Sequence, residues 1–262
     1  MDFAYQVSTF RAEQLQVLRN VKIHSPSVIQ ITSGSKRLYW RESSVVLTSE
    51  VLLLCEASSA LTFENMPHKG RFFSRMFSFF CTPEPDMLQL SAALSAGEKN
   101  PTHRLDSALS ETLNALFALA QHPISPDVQR HWLMGFYQQL AEQGALHHLF
   151  PQHQTSFSQK LSHYLARSPS EEHTLEEVAE QFAMSRATLI RKLKQEGTQY
   201  RDVLVDVRLN FALELMQKGH DNVAIVAQSC GYQSEGRFSQ RFKSRFGLTP
   251  KDYMKTVGTL AH

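Results

Sequence analysis

The sequence predicts an α+β protein in two parts. A small β-barrel with helices appended comes first, and an all-helical domain of two helix-turn-helix units joined by a long helix follows. Three observations predict this. Short β-branched and aromatic runs at 28–31, 36–40, 45–47, 51–55 and 60–63 are separated by polar breaks, the pattern of a small sandwich or barrel. Beyond residue 157 the apolar residues recur every three or four positions, as on helices. Within that stretch one helix-turn-helix pattern occurs twice. The expected division is a domain over 1–150, a linker over 151–156 and a second domain over 157–262.

Composition narrows the function classes. At 262 residues and 42% hydrophobic content the chain can bury real cores, which excludes global disorder. The formal net charge is only +2, yet residues 160–262 hold 15 Lys and Arg against 12 Asp and Glu. That local excess suits phosphate binding by particular helix faces. Cys55, Cys81 and Cys230 form no CxxC pair, so buried thiols in a reducing compartment are expected, not a disulfide framework. No basic stretch followed by an apolar core opens the chain, and its longest apolar run, at 51–55, is too short for a membrane span. A cytoplasmic protein with no membrane association is the expectation.

In the first part, the run at 28–31, a turn at Ser33 and Gly34, and the run at 36–40 predict a hairpin. Further strands follow at 45–47, 51–55, 60–63 and through the phenylalanine-rich 71–80. His24 and His68 are the only histidines before Pro85, and neither sits in a ligand motif, so no metal or other cofactor is expected. The phenylalanines read as core.

The middle of the chain is helical. Leu105, Leu109, Leu113, Leu116 and Ala120 mark one helix. Ser125, Pro126 and Asp127 open another with a cap, a first-turn proline and an early acid. Val128, Trp132, Leu133, Phe136, Tyr137 and Leu140 are its apolar side. That side either packs on the barrel or forms a dimer seam through Trp132, Phe136 and Leu140; the sequence leaves both open. His147, His148 and His153 read as a solvated helix end before the linker, since adjacent helical histidines point apart.

The last part begins with a helix through Phe157, Leu161, Tyr164 and Leu165. Thr174 and Glu177 then form a capping box, Ala183 and Met184 a turn, and Ser185 the cap of the next helix. Leu189 and Leu193 face inward there, leaving Arg186, Ala187, Ile190, Arg191 and Lys194 outside. A long helix from Thr198 to about Lys218 leads to the second unit. In it Val226 and Ala227 precede a break at Gly231, and Ser234 caps a helix with Phe238, Phe242 and Phe246 on its inner side. Its other side carries Arg237, Gln240, Arg241 and Lys243, with Glu235 the one acid. Gly247 closes it, and Thr249 and Pro250 are read as a stop.

Ala227, Gly231, Tyr232, Ser234, Phe238, Arg241, Phe242, Lys243, Gly247, Thr249, Pro250 and Tyr253 together resemble the signature of the AraC/XylS family of bacterial transcription regulators. The resemblance implies a cupin-like N-terminal barrel open to a small-molecule effector, helices that can mediate a homodimer, and a tandem DNA-binding domain. Its partners would be double-stranded DNA and RNA polymerase, and its action activation of transcription, not catalysis. Carried over by position, Arg186, Ala187, Ile190, Arg191, Gly236, Arg237 and Gln240 would face bases. Ser185, Lys192, Lys194, Ser234, Arg241 and Lys243 would hold phosphates or the rim. Gly236 departs from the pattern, which has a small polar side chain there. The alternative reading is an interaction protein that binds RNA polymerase or an antagonist without an operator of its own.

Overall fold

The computed structural model describes residues 3–40, 42–57, 59–95, 101–151 and 156–258. Strands begin at once: β1 (Tyr5–Ala12) and β2 (Gln16–Lys22), then β3 (Ser27–Ser33), β4 (Ser35–Trp40), β5 (Ser43–Leu47), β6 (Val51–Cys55), β7 (Ala60–Met66), β8 (Phe72–Phe79) and β9 (Thr102–Arg104). They form two sheets, a five-stranded one in the order β1-β8-β3-β6-β9 and a four-stranded one in the order β2-β7-β4-β5. Each keeps its own edges, so the expected closed barrel is an open two-sheet structure. Every pairing within the two sheets is antiparallel.

The expected hairpin of residues 28–31 with 36–40 does not form. β3 pairs with β6 and β8, whereas β4 pairs with β5 and β7. Between them the chain turns a corner from one sheet to the other at Gly34, whose φ is +74°. A Cβ at that position would lie 2.7 Å from the Met66 carbonyl oxygen, so the corner needs glycine twice over.

The five-stranded sheet is covered on both faces, which explains its near-continuous apolar strands. In β6, Leu53 and Cys55 face the second sheet, and Leu52 and Leu54 face helices packed outside. Those helices are α1 (Pro85–Leu94), α2 (Ser107–Leu119) and α3 (Pro126–Glu142), followed by a short 3-10 turn, Leu146–His148. Ser125 caps α3 as expected, accepting from the Val128 backbone N–H at 3.3 Å. Phe136 and Leu140 are fully buried with Leu109, Leu113 and Tyr137 against Phe77 and Phe79. They belong to the chain's own core, so they cannot line a dimer seam in this fold. Trp132 and Val128, by contrast, stand about half exposed on the other side of α3. Of the expected linker over 151–156, residues 152–155, including His153, lie outside the described residues.

The helical part comprises α4 (Phe157–Leu165), α5 (Leu175–Gln181), α6 (Arg186–Gln195), α7 (Tyr200–Gln217), α8 (Val223–Ser229), α9 (Glu235–Phe246) and α10 (Pro250–Val257). Thr249 and Pro250 are not a stop. Thr249 accepts from the Asp252 backbone N–H at 3.1 Å and opens α10, with Pro250 in the first turn where its missing N–H is harmless.

The two parts are tightly joined. β1 and β2 are edge strands, and the helical domain covers them. The Gln217 side chain on α7 pairs with the Arg11 backbone like a neighbouring strand. Its Oε1 accepts from the Arg11 N–H at 2.9 Å, and its Nε2 donates to the Arg11 carbonyl at 3.0 Å. Glu13 donates its N–H to the Thr256 carbonyl at 2.8 Å, and Asn210 Nδ2 donates to the Lys22 carbonyl at 2.6 Å. The residues between the sheets and those of α8, α9 and α10 form one continuous apolar cluster. The first helix-turn-helix unit has a cluster of its own.

Candidate nucleic-acid interface

Each unit is built by the same local chemistry. Thr174 and Glu177 make the full capping box of α5, with Thr174 Oγ1 accepting from the Glu177 N–H at 3.2 Å and Glu177 Oε2 from the Thr174 N–H at 2.9 Å. The Glu177 carboxyl is held below its ordinary pKa by these bonds to Thr174. Ser185 Oγ accepts from the Thr188 N–H at 3.2 Å to start α6, and Ser234 Oγ accepts from the Arg237 N–H at 3.4 Å to start α9. These caps fix where each second helix begins, and hence which side chains point outward.

Burial then selects the face. Leu189 and Leu193 of α6 lie against Val178 and Ala179 of α5 in the first cluster. Phe238, Phe242 and Phe246 of α9 stack along one side, with centroids 5.7 and 4.7 Å apart in succession, and close on Val226, Ala227 and Tyr253. With those residues inward, Arg186, Ala187, Ile190 and Arg191 are exposed on α6, and Gly236, Arg237 and Gln240 on α9. Ser185, Lys192, Lys194, Ser234, Arg241 and Lys243 are exposed as well. The structure therefore collects the expected residues on two open helix faces. Among the described residues, no part of the N-terminal domain buries them.

Two of these cations have partners within the chain. Arg186 Nη1 lies 2.8 Å from Glu176 Oε1 across the α5–α6 turn, both side chains more than half exposed. A surface pair of this kind holds the side chain loosely and can exchange for phosphate. Lys192 lies over the Phe157 ring at 5.6 Å from its centroid, leaning toward α4.

The family resemblance implies a structural and not a base-reading role for Arg208 on the joining helix, and its partners set the two units relative to each other. α7 serves both: Val203 and Val207 sit in the first unit's cluster, and Leu209, Ala212, Leu213 and Met216 in the second's. Between them Arg208 donates from Nε to the Pro169 carbonyl at 2.9 Å, from Nη2 to the Glu171 carbonyl at 2.9 Å, and from Nη1 to the Gly231 carbonyl at 3.2 Å. One guanidinium thus holds the loop before α5 and the turn after α8 together, using the planar fork that distinguishes arginine from lysine. On α9, Arg245 pairs with Asp206 of α7 at 2.8 Å. Burial raises the Asp206 carboxyl pKa, and Arg245 opposes that rise.

Among the described residues no helix is long and apolar enough to cross a membrane. Residues 178–256 match a helix-turn-helix domain family. Over 77 residues the chain is 36% identical to the porin thermoregulatory protein EnvY of Escherichia coli K12, which covers 29% of this chain and 30% of that protein. It is 37% identical over 81 residues to the transcriptional regulator SirC of Salmonella typhimurium, covering 31% and 28%. A further match is the transcriptional regulator GadX of Escherichia coli O6:H1, 37% identical over 84 residues, covering 32% and 31%. The chain thus spans less than a third of the length of these relatives. Along nearly its whole length the fold resembles two structures of ToxT from Vibrio cholerae. One has a TM-score of 0.60 at 15% identity, covering 96% of this chain and 97% of that one. The other has a TM-score of 0.61 at 15% identity, covering 97% and 100%. The C-terminal domain of the chain is therefore a helix-turn-helix domain like those of these transcription regulators, with the residues that resemble the AraC/XylS signature in place.

Proposed function

We propose that this protein is a sequence-specific DNA-binding transcription regulator, an activator, that lays α6 and α9 in adjacent major grooves on one side of the duplex. The observation that supports this most directly is the pair of exposed, cation-bearing helix faces, each backed by apolar residues and both carried by α7. The 18 residues of α7 extend about 27 Å, close to the roughly 34 Å between successive major-groove faces. Arg191 is suited to a bidentate contact with guanine and Gln240 to one with adenine. Ala187, Ile190 and Gly236 offer apolar contact or close approach, while Lys194, Arg241 and Lys243 suit phosphates. Activation and contact with RNA polymerase follow the family resemblance. A homodimer belongs to the same reading, with Trp132, exposed on α3, as its contact in place of the buried Phe136 and Leu140.

The test is genome-wide mapping of the DNA bound by the full chain, followed by hydroxyl-radical footprinting on a recovered site. Two protected major grooves one helical turn apart on the same face are expected. A single protected groove would rule out the two-reader arrangement. Binding with neither sequence preference nor salt sensitivity would favour an interaction protein without its own operator.

A further inference from the structure

Strand β2 is broken by a bulge where it meets the second helix-turn-helix unit. Its pairing with β7 shifts register between Leu18 and Val21, and Asn20, within the break, has a φ of +52°. A bulge re-aims the side chains of its strand, and asparagine is among the few residues that tolerate a left-handed backbone. Arg19, in the same break, lies against the C-terminal end of α9. A Cβ at Gly247 would be 3.3 Å from Arg19 Cδ and 3.6 Å from its Nε.

Positions 236, 240, 243 and 247 of this segment follow a 4-3-4 spacing and so share one side of the helix, away from Phe238, Phe242 and Phe246. The Gly247 N–H donates to the Lys243 carbonyl at 2.9 Å, which places it one turn beyond Lys243. Gly236 and Gln240 are the positions proposed to face bases, and Lys243 the one proposed to meet phosphate. Arg19 continues that row past the end of the helix, from the other domain. Its side chain is exposed and makes no hydrogen bond or ion pair among the described residues. Arg245, by contrast, is turned inward to Asp206 at 2.8 Å. Asp252 at the start of α10 is already held by Thr249 Oγ1 at 2.6 Å and paired with Lys255 at 3.2 Å. The C-terminal end of a helix favours a cation by its dipole alone. A cation that capped the end of α9 would also bond its carbonyls, and Arg19 bonds none of them.

We propose that Arg19 holds a phosphate of the DNA backbone, so that the N-terminal domain contributes to the DNA-binding surface beside α9. The inference rests on the reading of α9 as a DNA-facing helix and adds to it a contact that the helical domain alone lacks. A helix whose first turns enter the major groove leaves it at the sugar-phosphate wall. There a guanidinium can bond two phosphate oxygens at once, which positions the protein without reading sequence. The contact also ties DNA affinity to the docking of the two domains. Asn210 Nδ2, bonded to the Lys22 carbonyl at 2.6 Å, holds the strand that carries Arg19 against α7.

The experiment is DNA binding by the full chain, on a duplex recovered by genome-wide mapping and on a scrambled duplex of the same length, titrated from about 50 to about 200 mM salt. Arg19→Met keeps the methylenes over Gly247 and removes the charge. It should weaken both duplexes by about fivefold and make the salt slope shallower by about one. Ethylation interference should disappear at one phosphate beside the second unit's groove, and the melting temperature should not change. Arg19→Lys should restore most of the affinity and the slope. Arg104→Met, which removes one exposed charge from β9 at the far edge of the five-stranded sheet, should change none of these. The proposal is overturned if Arg19→Met binds as the parent does, if it loses affinity at an unchanged salt slope, or if Arg104→Met lowers the slope equally. A parent that binds neither duplex with salt sensitivity would overturn the DNA reading of α9 together with this contact.

Discussion

The Arg208 guanidinium occupies the space that a side chain at Gly231 would need: a Cβ at 231 would lie 2.7 Å from Arg208 Nη2, while Nη1 donates to the Gly231 carbonyl at 3.2 Å. Gly231 also has a φ of +76°. Alanine there meets both a strained backbone and the arginine, so Gly231→Ala should destabilise the chain by about 1–3 kcal/mol. Arg208→Lys keeps the charge but cannot reach three carbonyls. It should leave each unit folded and weaken binding to a two-groove operator more than to a half-site. Denaturant melts and competition titrations check the two; equal losses on both DNAs would refute the bracing role.

Arg191 and Lys243 should separate base reading from phosphate holding. Arg191→Ala is expected to lose about 1–3 kcal/mol on the operator and to relax preference at one base pair. Lys243→Ala should weaken all sequences alike and make the salt slope shallower by about one. Competition against single-base operator variants gives the answer. A uniform loss for Arg191→Ala beside a base-specific loss for Arg237→Ala would make α9 the principal reader.

Phe136 packs 5.8 Å from Phe79 and 6.5 Å from Tyr137, centroid to centroid, with no exposed surface. Phe136→Ala should therefore cost about 3–5 kcal/mol, and Phe136→Asp should prevent folding. Trp132→Asp is the discriminating change for a dimer, because Trp132 is 48% exposed. It should leave the melting temperature within a few degrees of the parent, and sedimentation then reads whether the association state changes.

Lys36 makes stability depend on pH. Its folded pKa, about 7, lies below the ordinary value of 10.5, so between these values the unfolded chain binds more protons and stability rises with pH. The expected slope above pH 7 is about 1.4 kcal/mol per pH unit, absent from Lys36→Met. The comparison belongs at pH 6–9, since the buried thiols of Cys55 and Cys230, both raised to about 12, ionise more readily unfolded and reverse the trend above it. Parallel pH dependence for parent and variant across that window would show that burial does not lower the Lys36 pKa.

Where a helix starts depends on residues three apart, and these could be read directly. Ser125, the Thr174–Glu177 box, Ser185 and Ser234 all cap as expected, and the 3-4 spacing behind them identified the buried sides of α6 and α9. The exposed faces of α6 and α9 follow from the same two local facts. α1 escaped notice because Glu84, before Pro85, makes no side-chain cap. β1 and β2 escaped because only some of their inward positions are large and apolar, Tyr5 and Leu18, whereas Gln16 is buried through Asn65 and Thr256 and Ala12 is small.

Strand pairing joins residues far apart in the chain, so Ser33 and Gly34 could look like a hairpin turn while linking two different sheets. Lys36 likewise alternates correctly for β4, but a charged side chain gives no local sign of facing inward; Asn65 and Phe63 beneath it decide that. The short-range order of this protein is written in caps and periodicity because those interactions close within one turn of chain. Its corner at Gly34, its interior lysine and the bracing of its two helical units by Arg208 are set by partners from distant segments, which exist only once the whole chain has packed.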